Sequence, residues 1–88
     1  MGGSVSGRVR IRVLLFARYA ELLGQTEMTI DVGAPATVRT VLDSLRAMAG
    51  GSKLPPAPLV AQNQVKVQLD TALEDGDEVA VLPPLAGG

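Results

Sequence analysis

From Arg8 the chain alternates strictly, with Val9, Ile11, Val13 and Leu15 on one side and Arg8, Arg10 and Arg12 on the other. This spacing predicts a half-buried strand. Leu14 and Phe16 continue the arginine side with apolar groups, so the far end of that side is expected to be covered by another element or another protein. Residues 17–23 predict a short helix, closed by Gly24 in the left-handed position that ends helices. Met28, Ile30 and Val32 then alternate with Glu27, Thr29 and Asp31 in a second strand, which Gly33-Ala34-Pro35 ends.

Thr37 is the expected N-cap of the clearest helix, in which Val38, Val41, Leu42, Leu45, Met48 and Ala49 fall on one face and Arg39, Asp43 and Arg46 on the other. Gly50-Gly51 is expected to stop it, and residues 52–58, with three prolines, to form a loop. Leu59-Val60-Ala61 leads to a candidate tight turn at Asn63-Gln64, followed by Val65, Val67 and Leu69 alternating with Lys66 and Gln68. Residues 70–77 are turn-rich, and Gly76 suits a positive φ. Glu78 to Leu82 is a strand apolar on both faces, which belongs in the middle of a sheet. Pro83-Pro84 cannot donate to a ladder and stiffens the exit.

These elements predict one α+β domain with no internal repeat. A mixed sheet of about five strands satisfies the burial patterns if the first and last strands lie side by side in parallel and the main helix crosses one face. That is the β-grasp, or ubiquitin-like, arrangement, with short helical turns completing it. The expected division is a leader at 1–7, the domain at 8–84 and a projecting tail at 85–88.

Composition narrows the chemistry. The chain has 88 residues and neither Cys nor His, which removes thiolate nucleophiles, imidazole bases and the usual zinc or iron ligand sets. No metal site and no bound cofactor are expected. A formal charge of −1 argues against a nucleic-acid partner. The longest apolar run, Val13-Leu14-Leu15-Phe16-Ala17, is far shorter than the roughly 20 residues of a membrane helix, and the start lacks a secretory signal, so no membrane association and a cytoplasmic location are expected.

What remains is the ending, Leu85-Ala86-Gly87-Gly88. Terminal glycines are compatible with a merely tolerated frayed end. Behind a rigid Pro-Pro exit they also suit a second reading, in which a tail without side chains threads a narrow channel and delivers its carboxylate to a buried reaction centre. A carboxylate is a poor acyl donor until a partner activates it, and this chain has no P-loop to do so itself. In that reading the protein is a substrate carried through the chemistry of others.

The segments Val13-Leu14-Leu15-Phe16-Ala17-Arg18, Glu21-Leu22-Leu23-Gly24, Ala36-Thr37-Val38 and Leu59-Val60-Ala61-Gln62-Asn63-Gln64 carry a family resemblance. So does the ending Leu73-Glu74-Asp75-Gly76-Asp77-Glu78-Val79, continued by Pro83-Pro84-Leu85-Ala86-Gly87-Gly88. Together they closely resemble the MoaD-type small subunit of molybdopterin synthase, a sulfur carrier of the MoaD/ThiS group, over residues 8–88. The resemblance implies that the Gly88 carboxylate is adenylated by an E1-like adenylyltransferase (MoeB-type) using ATP. It is then converted to a thiocarboxylate with sulfur from a separate donor.

Gly87 and Ala86, with Gly88, would insert into the active site of the large synthase subunit (MoaE-type), in an expected heterotetramer. There the large subunit performs catalysis, and the sulfur passes to a cyclic pyranopterin precursor in molybdenum cofactor synthesis. The small subunit is no enzyme on its own. Leu14, Phe16, Val81, Leu82 and Leu85 are implied as apolar partner surface. Gln62 departs from the pattern, since relatives usually carry an apolar residue there.

Two other outcomes keep the same tail: a ubiquitin-like modifier whose Gly88 is attacked by a lysine amine, and a sulfur carrier for thiazole or thiolated tRNA. The arginine strip and the acidic group Glu74, Asp75, Asp77 and Glu78 read as a solvated face and a solvated turn. Lys53 and Lys66 are possible isopeptide acceptors that the sequence does not choose between.

Overall fold

The computed structural model describes residues 7–84. The calls on the leader before Gly7 and on the tail residues Leu85, Ala86, Gly87 and Gly88 lie outside the described residues. Strand β1 (Arg8–Leu15) runs into α1 (Ala17–Leu23), β2 (Glu27–Gly33), β3 (Ala36–Thr37) and α2 (Val38–Arg46). After a 3-10 turn at Gly51–Lys53 come β4 (Leu59–Gln62), β5 (Val65–Val67), β6 (Ala72–Leu73) and β7 (Glu78–Leu82). Five strands form a sheet in the order β2-β1-β7-β4-β5, and β3 pairs with β6 in a second, two-stranded sheet. The fold is the expected α+β β-grasp.

The apolar pattern explains this order. β7 has three consecutive buried residues, Val79, Ala80 and Val81, and lies between β1, its parallel neighbour, and antiparallel β4. Ile11, Val13 and Leu15 of β1 and Val79 and Val81 of β7 are 0–2% exposed and join one core with Val38, Val41, Leu42 and Leu45 of α2. Each such side chain contributes about 1.5–3 kcal/mol by leaving water. α2 starts where Thr37 accepts from the Thr40 N–H while the Thr40 hydroxyl accepts from the Thr37 N–H at 3.0 Å, a reciprocal cap with threonine at the third helical position. Gly24 closes α1 with φ 74°.

Several expectations shift in detail. α2 ends at Arg46 and is capped by Ala47, so Met48 reaches the core from the following turn rather than from the helix. The Met48 N–H donates to Leu45 O and the Gly51 N–H to Met48 O, which tightens the chain out of helical geometry before Gly50-Gly51. The proline-rich segment is partly regular: the 3-10 turn buries Leu54, whose carbonyl accepts from the Arg46 guanidinium at 2.5 Å. Strand β5 stops at Val67, short of Leu69. Asn63 and Gln64 do form the tight turn, both with positive φ (50° and 76°) as a type I′ hairpin requires.

Candidate functional site

The site is built around the end of β7, where the chain leaves the centre of the sheet. Register fixes its surroundings. Leu15 stands opposite Val81 on β1, and Leu59 opposite Leu82 on β4. Val79 and Val81 face α2, so Glu78, Ala80 and Leu82 face the other, helix-free side of the sheet. Arg8, Arg10, Arg12 and Leu14 share that side on β1, and Leu59 and Ala61 share it on β4. Phe16 follows β1 with extended dihedrals (φ −123°, ψ 150°) and carries the alternation one step further. It is 44% exposed.

The open face therefore divides along its length. At the β7 exit lies an apolar patch of Leu14, Phe16, Leu82 and Leu59 around the buried Ala80. Toward the start of β1 the face is charged. Of the residues expected at a partner surface, Leu14, Phe16 and Leu82 are brought together in the patch, and Leu85 lies outside the described residues. Val81 is a correction. It is fully buried, because its place in the strand turns it toward α2, and it has no surface to offer a partner. Leu59 was not anticipated as a patch residue. Its place becomes readable only from the β4–β7 pairing, in which it stands opposite Leu82.

The charged half is paired within itself. Arg10 meets Asp31 at 3.2 Å, and Arg12 reaches Glu27 at 3.5 Å on β2 and Glu78 at 2.8 Å on β7. The Arg8 guanidinium donates to Asp31 O at 2.9 Å. These links stitch β2, β1 and β7 across the face. Exposed pairs of this kind contribute at most about 1 kcal/mol each, so their main effect is to neutralise the strip.

The acidic turn before β7 serves the backbone. Asp75 accepts from the Arg10 N–H at 2.7 Å, and the Gly76 N–H donates to Arg10 O at 2.8 Å. Asp77 accepts from the Glu74 N–H at 2.8 Å, the Gln62 side chain at 2.9 Å and the Asn63 side chain at 3.0 Å. Partial burial pushes the Asp77 pKa up, but these three donors outweigh it and hold the carboxyl below its usual 3.8. Gln62 also donates to Ala72 O at 3.1 Å, so its amide links the β4–β5 hairpin to β6 and to the turn. A polar residue at this position thus has partners for its amide hydrogens. Among the described residues, no group of three or more acidic side chains is placed to hold a metal ion, and no helix is long and apolar enough to cross a membrane.

The comparisons with known proteins agree with this architecture. The model of the ThiS family matches residues 13–88. The molybdopterin synthase sulfur carrier subunit of Chlamydomonas reinhardtii is 37% identical over 83 residues, covering 91% of this chain and all of that protein. Small archaeal modifier protein 3 of Haloferax volcanii is 37% identical over 92 residues, again covering 91% of this chain and all of that protein. The solution structure of the Haloferax volcanii HVO 2177 protein superposes with a TM-score of 0.81 at 33% identity, covering 100% of this chain and 94% of that one. The chain, with its parallel β1–β7 centre and a family match that runs through Gly88, belongs to the ThiS family.

Proposed function

We propose that this chain is the sulfur-carrying small subunit of a molybdopterin synthase, with Gly88 as its reactive group. The observation that carries the reading is the alignment with a molybdopterin synthase sulfur carrier subunit over that protein's whole length, joined to a family match that includes Gly88. The fold supplies a matching exit. β7 runs from the middle of the sheet into Pro83-Pro84 beside an apolar patch, so a large subunit seated on the patch receives the tail directly. The Gly88 carboxylate attacks the α-phosphorus of ATP on an E1-like enzyme, and pyrophosphate leaves. Sulfide-level sulfur from a separate donor then displaces AMP from the acyl-adenylate to give a thiocarboxylate; its sulfur bonds to a carbon of a cyclic pyranopterin precursor on the large subunit, and water cleaves the acyl–sulfur bond to return the Gly88 carboxylate. Gly87 and Ala86 serve the threading, because neither carries bulk.

Intact-mass measurement after incubation with the activating enzyme, ATP and a sulfur donor tests this: one oxygen replaced by sulfur at the C-terminus is expected. An unchanged mass under conditions that convert an established carrier rejects it. A second reading, a protein modifier, draws on the equal identity to small archaeal modifier protein 3. Target lysines that carry the C-terminal peptide of residues 67–88 after tryptic digestion, and lose it when Gly88 is deleted, would favour it.

A further inference from the structure

Strand β2 is an outer edge of the five-stranded sheet, and among the described residues no strand lies beyond it. Hydrogen bonds at the two ends of the β1–β2 ladder, from the Leu15 N–H to Thr26 O and from the Ala34 N–H to Gly7 O, fix which way its main chain points. The hydrogen-bonded partners between those ends are Val13 with Met28, Ile11 with Ile30 and Val9 with Val32. The main-chain groups of Glu27, Thr29, Asp31 and Gly33 therefore point outward, away from β1, and all four residues are exposed.

The devices that usually blunt such an edge are missing. Its seven residues contain no proline, and the one-for-one register from Arg8–Gly33 to Leu14–Glu27 leaves no bulge. Its charges are already paired within the chain, Asp31 with Arg10 and Glu27 with Arg12. One guard remains. The Arg8 guanidinium donates to the outward Asp31 carbonyl at 2.9 Å, reaching it past Gly33, its cross-strand neighbour, which has no side chain in the way.

We propose that the β2 edge pairs with the β2 edge of a second copy, antiparallel and in a register centred on Ile30. Charge selects that register. Centring the pair on Thr29 sets Glu27 opposite Asp31 twice, and centring it on Asp31 sets two carboxylates face to face, and like charges directly opposite disfavour pairing. Centring it on Ile30 sets Thr29 opposite Asp31 and Glu27 opposite Gly33, with no like pair, and uses all seven residues of both strands. On the helix side it brings Ile30 against Ile30 and Met28 against Val32. The four outward residues of each copy then supply roughly eight main-chain hydrogen bonds. Arg8 leaves the Asp31 carbonyl as the second strand arrives. The two-fold axis stands perpendicular to the joined sheet, so both open faces stay on one side and β7, two strands inward, remains uncovered. An edge contact buries less than a standard interface, so the association is weak, with a dissociation constant on the order of 100 µM.

Sedimentation equilibrium and amide exchange by NMR on the full chain, from about 10 µM to about 1 mM, test this. The mass should rise toward that of two copies. Exchange at Thr29, Asp31 and Gly33 should slow by at least about threefold across that range, whereas Met28, Ile30 and Val32, already bonded to β1, should not change. Arg8→Ala uncovers the Asp31 carbonyl and should tighten association by at least about threefold. Thr29→Asp sets carboxylates opposite Asp31 at both ends of the pair and should weaken it by at least about threefold. Thr29→Pro removes an outward N–H that β1 does not use and should abolish it. A monomer throughout the range, concentration-dependent protection at amides away from β2, or a dimer indifferent to both Thr29 variants would each overturn the proposal.

Discussion

The Asn63 side chain donates to Asp77 at 3.0 Å while its carbonyl oxygen accepts from the Glu78 N–H at 2.9 Å, so the tip of the β4–β5 hairpin clasps the first residue of β7. The main-chain link from the Asn63 N–H to Glu78 O, at 2.8 Å, completes the clasp. The strand that leads to the tail is thus positioned from below by a hairpin turn and an acidic loop. Its register is held by polar contacts at one end and by the apolar core along its length.

This clasp makes stability sensitive to acid. The Asp77 pKa is lowered in the folded chain, so its contribution is present at pH above the unfolded value of 3.8 and is lost as pH falls through the lower folded value. Denaturant titrations repeated at decreasing pH should show a steeper loss of stability in that acid window for the unaltered chain than for Asp77→Asn. At neutral pH, Asp77→Ala should cost about 0.5–1.5 kcal/mol, since water replaces the carboxylate at the exposed Asn63 and Glu74 donors and only the Gln62 contact is partly buried. Parallel pH profiles for the two chains would contradict this role.

Gly50 offers a backbone test. Its φ of 85° lies in the left-handed region, and a Cβ there would run into the carbonyl oxygen of Leu22 in α1. Gly50→Ala therefore meets both a strained dihedral and a main-chain clash, whereas Gly24→Ala, with φ 74° and open space around it, meets only the first. Thermal unfolding should rank Gly50→Ala as the more damaging. A difference of 1 kcal/mol corresponds to roughly 4–8 °C at this size.

The arginine strip should tolerate change. Because Arg10 and Arg12 are paired at the surface, Arg10→Ala and Arg12→Ala should each lower stability by less than about 1 kcal/mol, with the loss shrinking as salt is added. A salt-insensitive loss well above that would show that the pairs do more than neutralise the face.

The central architecture was legible in the residues because burial on both faces of Glu78–Leu82 and alternation in β1 leave few ways to assemble a sheet. Thr37, Gly24 and Asn63-Gln64 announced their turns through local chemistry that needs no tertiary partner. Strands β3 and β6, two residues each, carry no periodicity to read, and they exist only because their neighbours bring them together. The early end of α2 has the same origin: Met48 and Ala49 fit the helical spacing, but the packing of Gly50 and Gly51 against Leu22 and Leu45 bends the chain before it reaches them. At the candidate site, the place of Leu14 and Phe16 on the arginine side of β1 followed from alternation, whereas Leu82 and Val81 came together from the family resemblance. Val81 was misassigned because a strand apolar on both faces does not reveal which of its side chains meets the helix.

That distinction yields the sharpest test of the partner surface. Leu14 and Leu82 are half-buried on the open face, and Val81, adjacent in sequence to Leu82, is fully buried beneath α2. Truncating Val81 to Ala opens a cavity and should cost roughly 1–3 kcal/mol while leaving the patch unchanged. The variant that stays folded should then bind a large synthase subunit as the unaltered chain does. Leu82→Asp, and separately Leu14→Asp, places a charge in the centre of the patch, where docking would have to desolvate it. These variants should stay folded, losing no more stability than Val81→Ala, yet lose binding by at least about tenfold in calorimetric titration, while Val81→Ala does not. If instead the Asp variants bind normally, the partner surface lies elsewhere on the domain.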